Sequence, residues 1–206
     1  MKHFFYTIPG FFTQCFRQVY RDAVAHATYD RPHVFVEIGS FFGASTAYMA
    51  VEILNSGKDI KFHAVDSWEG DGDVSQYYSE KDVVYEKFLA NVAPVRERIV
   101  VHRSLSVDAA EKFEDQSIVF CFIDAGHTYD SIIADLRAWL PKVKPGGLLA
   151  GHDYEPSFPG VIQAVNEIIG PRQITIQGVC WLYTVPSDIA EDEKTWTRKV
   201  LGAHAG

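Results

Sequence analysis

The residues able to do chemistry in this chain recur at one kind of place, directly after a short apolar run. Glu37 and Gly39 close the run Val34-Phe-Val-Glu-Ile-Gly39, Asp66 follows Lys61–Val65, Asp124 follows Ile118–Ile123, and His152-Asp153 follow Leu148–Gly151. The first of these places says most. Residues 34–46, Val-Phe-Val-Glu-Ile-Gly-Ser-Phe-Phe-Gly-Ala-Ser-Thr, read as a strand, a turn carrying Gly39 and Gly43, and a helix opening near Ser45-Thr46. That arrangement cradles an adenosine-bearing cofactor. Glycine permits positive φ and close backbone approach, and the first helical N–H groups are unpaired donors. The glycine spacing is G-x-x-x-G rather than the G-x-G-x-x-G of dinucleotide enzymes. It suits a cofactor with no pyrophosphate to grip, and S-adenosylmethionine is the candidate.

These residues must be positioned by alternating strands and helices. Residues 11–28 are helical in pattern, with Phe12, Phe16, Val19, Tyr20 and Val24 on one face. Strands are expected over 34–38, 61–65, 99–102, 118–123 and 148–151, with helices over 46–54, 80–91, 107–113, 129–140 and 161–169 between them. Lys144-Pro-Gly-Gly147 reads as the turn into the fifth strand, and strands at 173–176 and 179–184 close the sheet. Near-continuous apolar strands alternating with helices predict an α/β, Rossmann-like, doubly wound sheet with helices on both faces. Ligands in such sheets bind at the carboxyl ends of the strands, where every singled-out polar residue falls. Residues 67–79 are polar, aromatic and glycine-bearing, the composition of a substrate lid, with Trp68, Tyr77 and Tyr78 as pocket candidates. The whole chain reads as one domain, with an N-terminal helical segment over 1–30 and a charged tail over 187–206.

Bulk composition narrows the class. A chain of 206 residues with 47% apolar and 22% charged residues is that of a globular protein. The net charge of −8 disfavours a phosphate backbone as partner, leaving a small-molecule substrate as the expectation, with no nucleic acid and no membrane. The N-terminus lacks the sustained apolar core of a signal peptide, and no stretch reaches transmembrane length. The three cysteines, Cys15, Cys121 and Cys180, read as reduced thiols of a cytoplasmic protein. No Cys-x-x-Cys pair occurs, so a structural zinc site is not expected.

Five stretches in order carry a family likeness: Ile8-Pro-Gly-Phe11, Val36-Glu-Ile-Gly-Ser-Phe-Phe-Gly-Ala-Ser-Thr46, Val65-Asp-Ser-Trp-Glu-Gly-Asp71, Ile123-Asp-Ala-Gly-His-Thr-Tyr-Asp130 and Lys144-Pro-Gly-Gly-Leu-Leu-Ala-Gly-His-Asp153. On these the chain resembles class I S-adenosylmethionine-dependent methyltransferases, within the small group similar to macrolide-sugar O-methyltransferases and cephalosporin-hydroxylase-like proteins. The resemblance implies a seven-stranded sheet, mostly parallel with the last strand antiparallel. It implies a cofactor set of Glu37, Gly39, Ser40, Gly43, Ser45, Asp66, Ser67, Ser104 and Asp124. In that set the first acid and glycines lie against the methionine part and Asp66 takes the ribose hydroxyls. Ser104 and Leu105 lie beside the adenine. Relatives self-associate through N-terminal helices, so a homodimer is an expectation.

The same resemblance places a divalent ion, magnesium or manganese, on Asp124, His152 and Asp153. Such an ion clamps adjacent substrate hydroxyls and lowers the pKa of the one to be methylated. His127 is implied as general base, a task suited to an imidazole with an ordinary pKa of about 6.5. Relatives carry an acidic pair where this chain has His152-Asp153. The imidazole either shifts ion preference towards manganese, iron or zinc, or is no ligand and leaves a site of two carboxylates. Each residue also has a plain reading: the glycines as a tight turn, the acids as exposed strand caps, Phe12, Phe16 and Tyr20 as core or dimer contacts rather than a substrate box. O-methylation of a hydroxyl on a sugar or natural product is the leading function. The alternatives are a nicotinamide-dependent oxidoreductase, disfavoured by the glycine spacing and the lack of a Tyr-x-x-x-Lys set, and a non-catalytic cofactor-binding or scaffold protein.

Overall fold

β1 (His33–Ile38) is buried along nearly its whole length and carries side chains into both faces of the sheet, the pattern of a strand covered by helices on both sides. In the computed structural model, which describes residues 1–70 and 82–187, β1 pairs in parallel with β2 (Ile60–Asp66) on one side and β4 (Ile118–Ile123) on the other. β3 (Ile99–Arg103) lies beyond β2, and β5 (Val143–Gly151) lies beyond β4, both parallel. β7 (Cys180–Thr184) runs antiparallel to β5, and β6 (Thr175–Gln177) antiparallel to β7, giving the order β3-β2-β1-β4-β5-β7-β6. This is the expected seven-stranded Rossmann-like sheet. Its strand order reverses between β1 and β4.

Period-two alternation sends Phe35, Phe62, Phe120 and Phe122 to one face and Val36, Ile38, Cys121 and Ile123 to the other. α1 (Gln14–His26), α2 (Ala44–Ser56) and α3 (Val83–Val92) cover the first face through Phe16, Tyr20, Met49 and Phe88. α4 (Ser106–Ala110), α5 (Tyr129–Trp139) and α6 (Pro159–Ile168) cover the second through Ala109, Leu136, Trp139 and Val165.

Several boundaries differ from the sequence reading, two of them near the site. α1 begins at Gln14 rather than residue 11, because Thr13 is extended and the chain before it forms a short 3-10 turn at Phe5–Thr7. Lys144-Pro-Gly-Gly147 lies within β5 rather than ahead of it. There the pairing with β4 shifts register and Gly146 takes φ +75°, so the segment is an irregularity inside the strand. Of the stretch read as a lid, 71–79 lies outside the described residues, as does 188–206 of the tail.

The glycines of the first motif serve packing within the chain. A Cβ on Gly39 would stand 1.8 Å from the backbone oxygen of Asp124, and one on Gly43 would stand 2.8 Å from Val92 Cγ1. Both residues have positive φ, +86° and +88°. Gly39 N–H donates to Val65 O at 2.9 Å while Asp124 N–H donates to Ile38 O at 2.8 Å, so the ends of β2, β1 and β4 are stitched together at this point. Gly57 also has positive φ (+68°) but nothing lies within 4 Å of a Cβ there. Denaturant unfolding of Gly39→Ala should therefore show a loss of at least about 3 kcal/mol, from backbone strain and overpacking together. Gly57→Ala should lose only about 1 kcal/mol.

Candidate active site

Glu37 stands at the base of the site and is fully buried. Its carboxylate accepts hydrogen bonds from Tyr20 Oη (2.7 Å), Ser40 Oγ (2.8 Å) and Thr46 Oγ1. Burial pushes its pKa up, while the hydroxyls of Thr46, Tyr20, Ser40 and Ser45 oppose that shift. Three of the residues read as cofactor ligands, Glu37, Ser40 and Ser45, thus hold one another, binding α1, the motif turn and α2 into one unit. Tyr20, read as a core or dimer contact, is a member of this network; its place in a helix before the motif gave no local signal.

Asp66, at the end of β2, faces the motif turn. Oδ2 accepts the backbone N–H groups of Ser40 and Phe41, both at 2.9 Å, and Oδ1 accepts that of Trp68 at 2.7 Å. Phe41 and Trp68 reach it with left-handed backbones, φ +46° and +53°. Beside Asp66 opens a cleft of about 330 Å³ lined by Ser67, Glu69, Asp82, Arg103, Ser104 and Leu105. The Ser104 N–H donates to Asp66 O at 3.1 Å, tying the two strand ends together. Its hydroxyl oxygen is buried with no hydrogen-bond partner among the described residues. Leu105 is 56% exposed at the same edge. A polar cleft with an unsatisfied buried hydroxyl and an apolar lip fits one end of a nucleoside.

Across the Gly39 contact, Asp124, His127, His152 and Asp153 converge. Asp153 lies between two imidazoles: Oδ2 is 3.0 Å from His127 Nε2, and Oδ1 is 3.0 Å from His152 Nδ1. His152 Nδ1 is also 3.7 Å from Asp124 Oδ1. Asp153 achieves this with φ +61°, a conformation that Asp tolerates better than most residues. His127 is held from behind, since the Gly160 α-carbon at the start of α6 packs so close that a Cβ would lie 2.9 Å from the His127 carbonyl oxygen. Its ring rests on Phe158 with centroids 4.6 Å apart.

The two carboxylates are driven to opposite states. Burial, reinforced by the Asp153 charge, lifts Asp124 to about 7 even though its side chain keeps 24% exposure. Burial acts the same way on Asp153, but hydrogen bonds from His127 and His152 outweigh it and hold that carboxyl well below its usual range. For His152 burial favours the neutral ring, and the hydrogen bond with Asp153 and the charges of Asp124 and Asp153 overcome it, raising the pKa to about 9. Ligand atoms from Asp124, His152 and Asp153 lie within 4.8 Å of one another, a set able to hold a divalent cation.

The sequence pattern of the methyltransferase-domain family matches residues 36–154, from β1 through the acid cluster. The chain belongs to that family. The matched span holds Glu37, Asp66, Asp124, His127, His152 and Asp153, so both halves of the site lie inside the methyltransferase domain. The structure is similar to that of the O-methyltransferase NovP (22% identity, 83% of this chain and 78% of that one, TM-score 0.66). It is also similar to CalS11, a TDP-rhamnose 3′-O-methyltransferase of calicheamicin biosynthesis (17% identity, 81% and 77%, TM-score 0.56). A third neighbour is a putative caffeoyl-CoA O-methyltransferase from Staphylococcus aureus (13% identity, 86% and 85%, TM-score 0.57). These likenesses concern the fold. Among curated proteins, 126 residues are 29% identical to the uncharacterized protein y4gI of Sinorhizobium fredii, a match that takes in 13% of that protein's length. Among the described residues, no helix is long and apolar enough to cross a membrane.

The raised pKa of His152 has a consequence for the methyltransferase domain without metal. Its stabilising contribution is complete below the ordinary value of about 6.5 and is lost as pH rises through about 9. Unfolding free energy should fall by up to about 3 kcal/mol between pH 6.5 and 9.5. His152→Gln should flatten that fall; denaturant curves at the two pH values compare the slopes.

Proposed function

We propose that this protein is an S-adenosylmethionine-dependent O-methyltransferase that acts on a small molecule bearing adjacent hydroxyls, a sugar or natural product. The observation that carries the reading is the acid–imidazole cluster at the ends of β4 and β5, set one backbone contact from the glycine turn of a methyltransferase domain. The cofactor end is Asp66 with Ser67, Ser104 and Leu105; the acceptor end is Asp124, His127 and Asp153. When bound, the cofactor supplies an electrophilic methyl group on a sulfonium sulfur.

His127 performs the proton chemistry. Asp153 accepts from its Nε2, which fixes the neutral tautomer with the lone pair at Nδ1 and stabilises the imidazolium formed on taking a hydroxyl proton. The hydroxyl oxygen so deprotonated would be the nucleophile towards the methyl group that the cofactor would supply. The proton remains on His127 until solvent removes it. Asp124, with Asp153 and the imidazole of His152, offers a mixed oxygen and nitrogen set better suited to manganese, iron or zinc than to magnesium. An ion there would fix the acceptor diol and acidify it.

Calorimetric titration of S-adenosylhomocysteine into metal-stripped protein tests the cofactor half. Saturable micromolar binding is expected, about five- to tenfold weaker in Ser104→Ala, for one lost hydrogen bond, and weaker still in Asp66→Ala. An absence of saturable heat overturns the reading, and nicotinamide cofactors are then titrated in the same way. For the acceptor half, a panel of diol-bearing sugars and catechols is assayed for product homocysteine thioether. His127→Ala should lower turnover about 10²- to 10⁴-fold while leaving cofactor affinity unchanged.

A further inference from the structure

Cys15 and Cys180 are 165 positions apart, yet the fold sets them side by side on the outer flank of His152. Cys15 lies in the first turn of α1, and Cys180 opens β7, just after the β6–β7 hairpin. Gly178 in the hairpin makes this approach possible. With φ +65°, it leaves only enough room that an added Cβ would stand 2.9 Å from Cys15 Cβ. Cys15 hydrogen-bonds with the Cys180 side chain and with the Val179 backbone. Thr13 Oγ1 lies 3.0 Å from Cys15 Sγ and 3.2 Å from His152 Nε2. One ligand atom each from Cys15, Cys180 and His152 falls within 4.8 Å of the others. The proposed methyl-transfer chemistry makes no use of either thiol.

We propose that Cys15, Cys180 and His152 form a second metal site, specific for a soft divalent cation of the zinc class. Two sulfurs and an imidazole are zinc's preferred donors. Bond lengths of about 2.3 Å to sulfur and 2.0 Å to nitrogen place tetrahedral ligand atoms roughly 3.3–3.8 Å apart, which the cluster reaches with a small contraction. His152 presents Nε2 on the thiol side and Nδ1 to Asp153 Oδ1 at 3.0 Å. This is the carboxylate–histidine–metal arrangement in which an outer acid fixes the ring tautomer. The Thr13 hydroxyl lies beside two of these donors, Cys15 Sγ and His152 Nε2. An entry path exists, because a surface cleft of about 510 Å³, lined by Thr13, Cys15, Gln18 and the Gln177–Val179 hairpin, opens onto Cys15. A neutral imidazole has one lone pair, so an ion on Nε2 makes Nδ1 a fixed donor to Asp153. That withdraws His152 from any ion held by Asp124 and Asp153, so the two metals compete for one ring.

Cobalt(II), a spectroscopic stand-in for zinc, tests this without reference to activity. The full chain is reduced, stripped with chelator and titrated anaerobically. One equivalent should produce thiolate-to-cobalt charge-transfer bands, displaced by one equivalent of zinc. The bands should survive in Cys121→Ala and Asp124→Asn and vanish in Cys15→Ser. Cobalt binding without such bands would assign the ion to the carboxylates and overturn the proposal, as would bands that persist in Cys15→Ser or no binding at all. A second readout needs no variant: zinc should slow alkylation of Cys15 in the native protein at least tenfold, and an unchanged labelling rate overturns the site.

Discussion

The site depends on one steric fact, that nothing larger than hydrogen fits on Gly39. Its α-carbon sits against the carbonyl of Asp124, so the ends of β1 and β4 meet at the point where the strand order reverses. From there the chain leaves in two directions. The motif turn runs over Asp66 towards the polar cleft, and Asp124 leads through Ala125-Gly126 to His127. The polar cleft beside Asp66 and the acid–imidazole cluster are thus joined through backbone at Gly39. Placement of reacting groups within a few tenths of an ångström is what such rigidity supplies.

Carboxylates near that point occupy three different electrostatic situations. Glu37 is sealed among hydroxyls and acts as a structural tie. Asp66 is saturated largely by backbone amides, donors whose positions are set by the turn itself. Asp124 and Asp153 lie beside the same two imidazoles, but burial and the Asp153 charge push Asp124 towards its acid form while hydrogen bonds from His127 and His152 hold Asp153 as its anion. The same residue type thus becomes a brace at Glu37, an acceptor of turn amides at Asp66 and an oppositely ionised pair at Asp124 and Asp153 through surroundings alone.

Much of this was legible in the sequence. Apolar runs ending in Glu37, Asp66, Asp124 and His152-Asp153 locate the carboxyl ends of the strands, and parallel neighbours bring those ends together. The alternating strands and helices follow from that, while the strand order and the meeting of Asp124, His152 and Asp153, with His127 as base, came from the family likeness. The reason for the glycines was not legible: Gly39 and Gly43 yield to Asp124 and to Val92 of the same chain, and a local spacing cannot tell a ligand from a distant strand. Nor was the direction in which Glu37, Ser40 and Ser45 face, because that depends on Tyr20 arriving from another helix. The absence of a Cys-x-x-Cys pair likewise concealed Cys15 beside Cys180. Their proximity arises from a hairpin and a helix start that share no sequence signal.

The left-handed backbone at Asp153 divides the pair 152–153 into a fixed and an adjustable position. A longer or branched side chain at 153 would meet a conformational penalty before its chemistry could matter, so drift there is confined to Asp, Asn or Gly. Position 152 has an ordinary backbone and no such filter. A change of side chain on this scaffold therefore meets less backbone resistance at 152 than at 153.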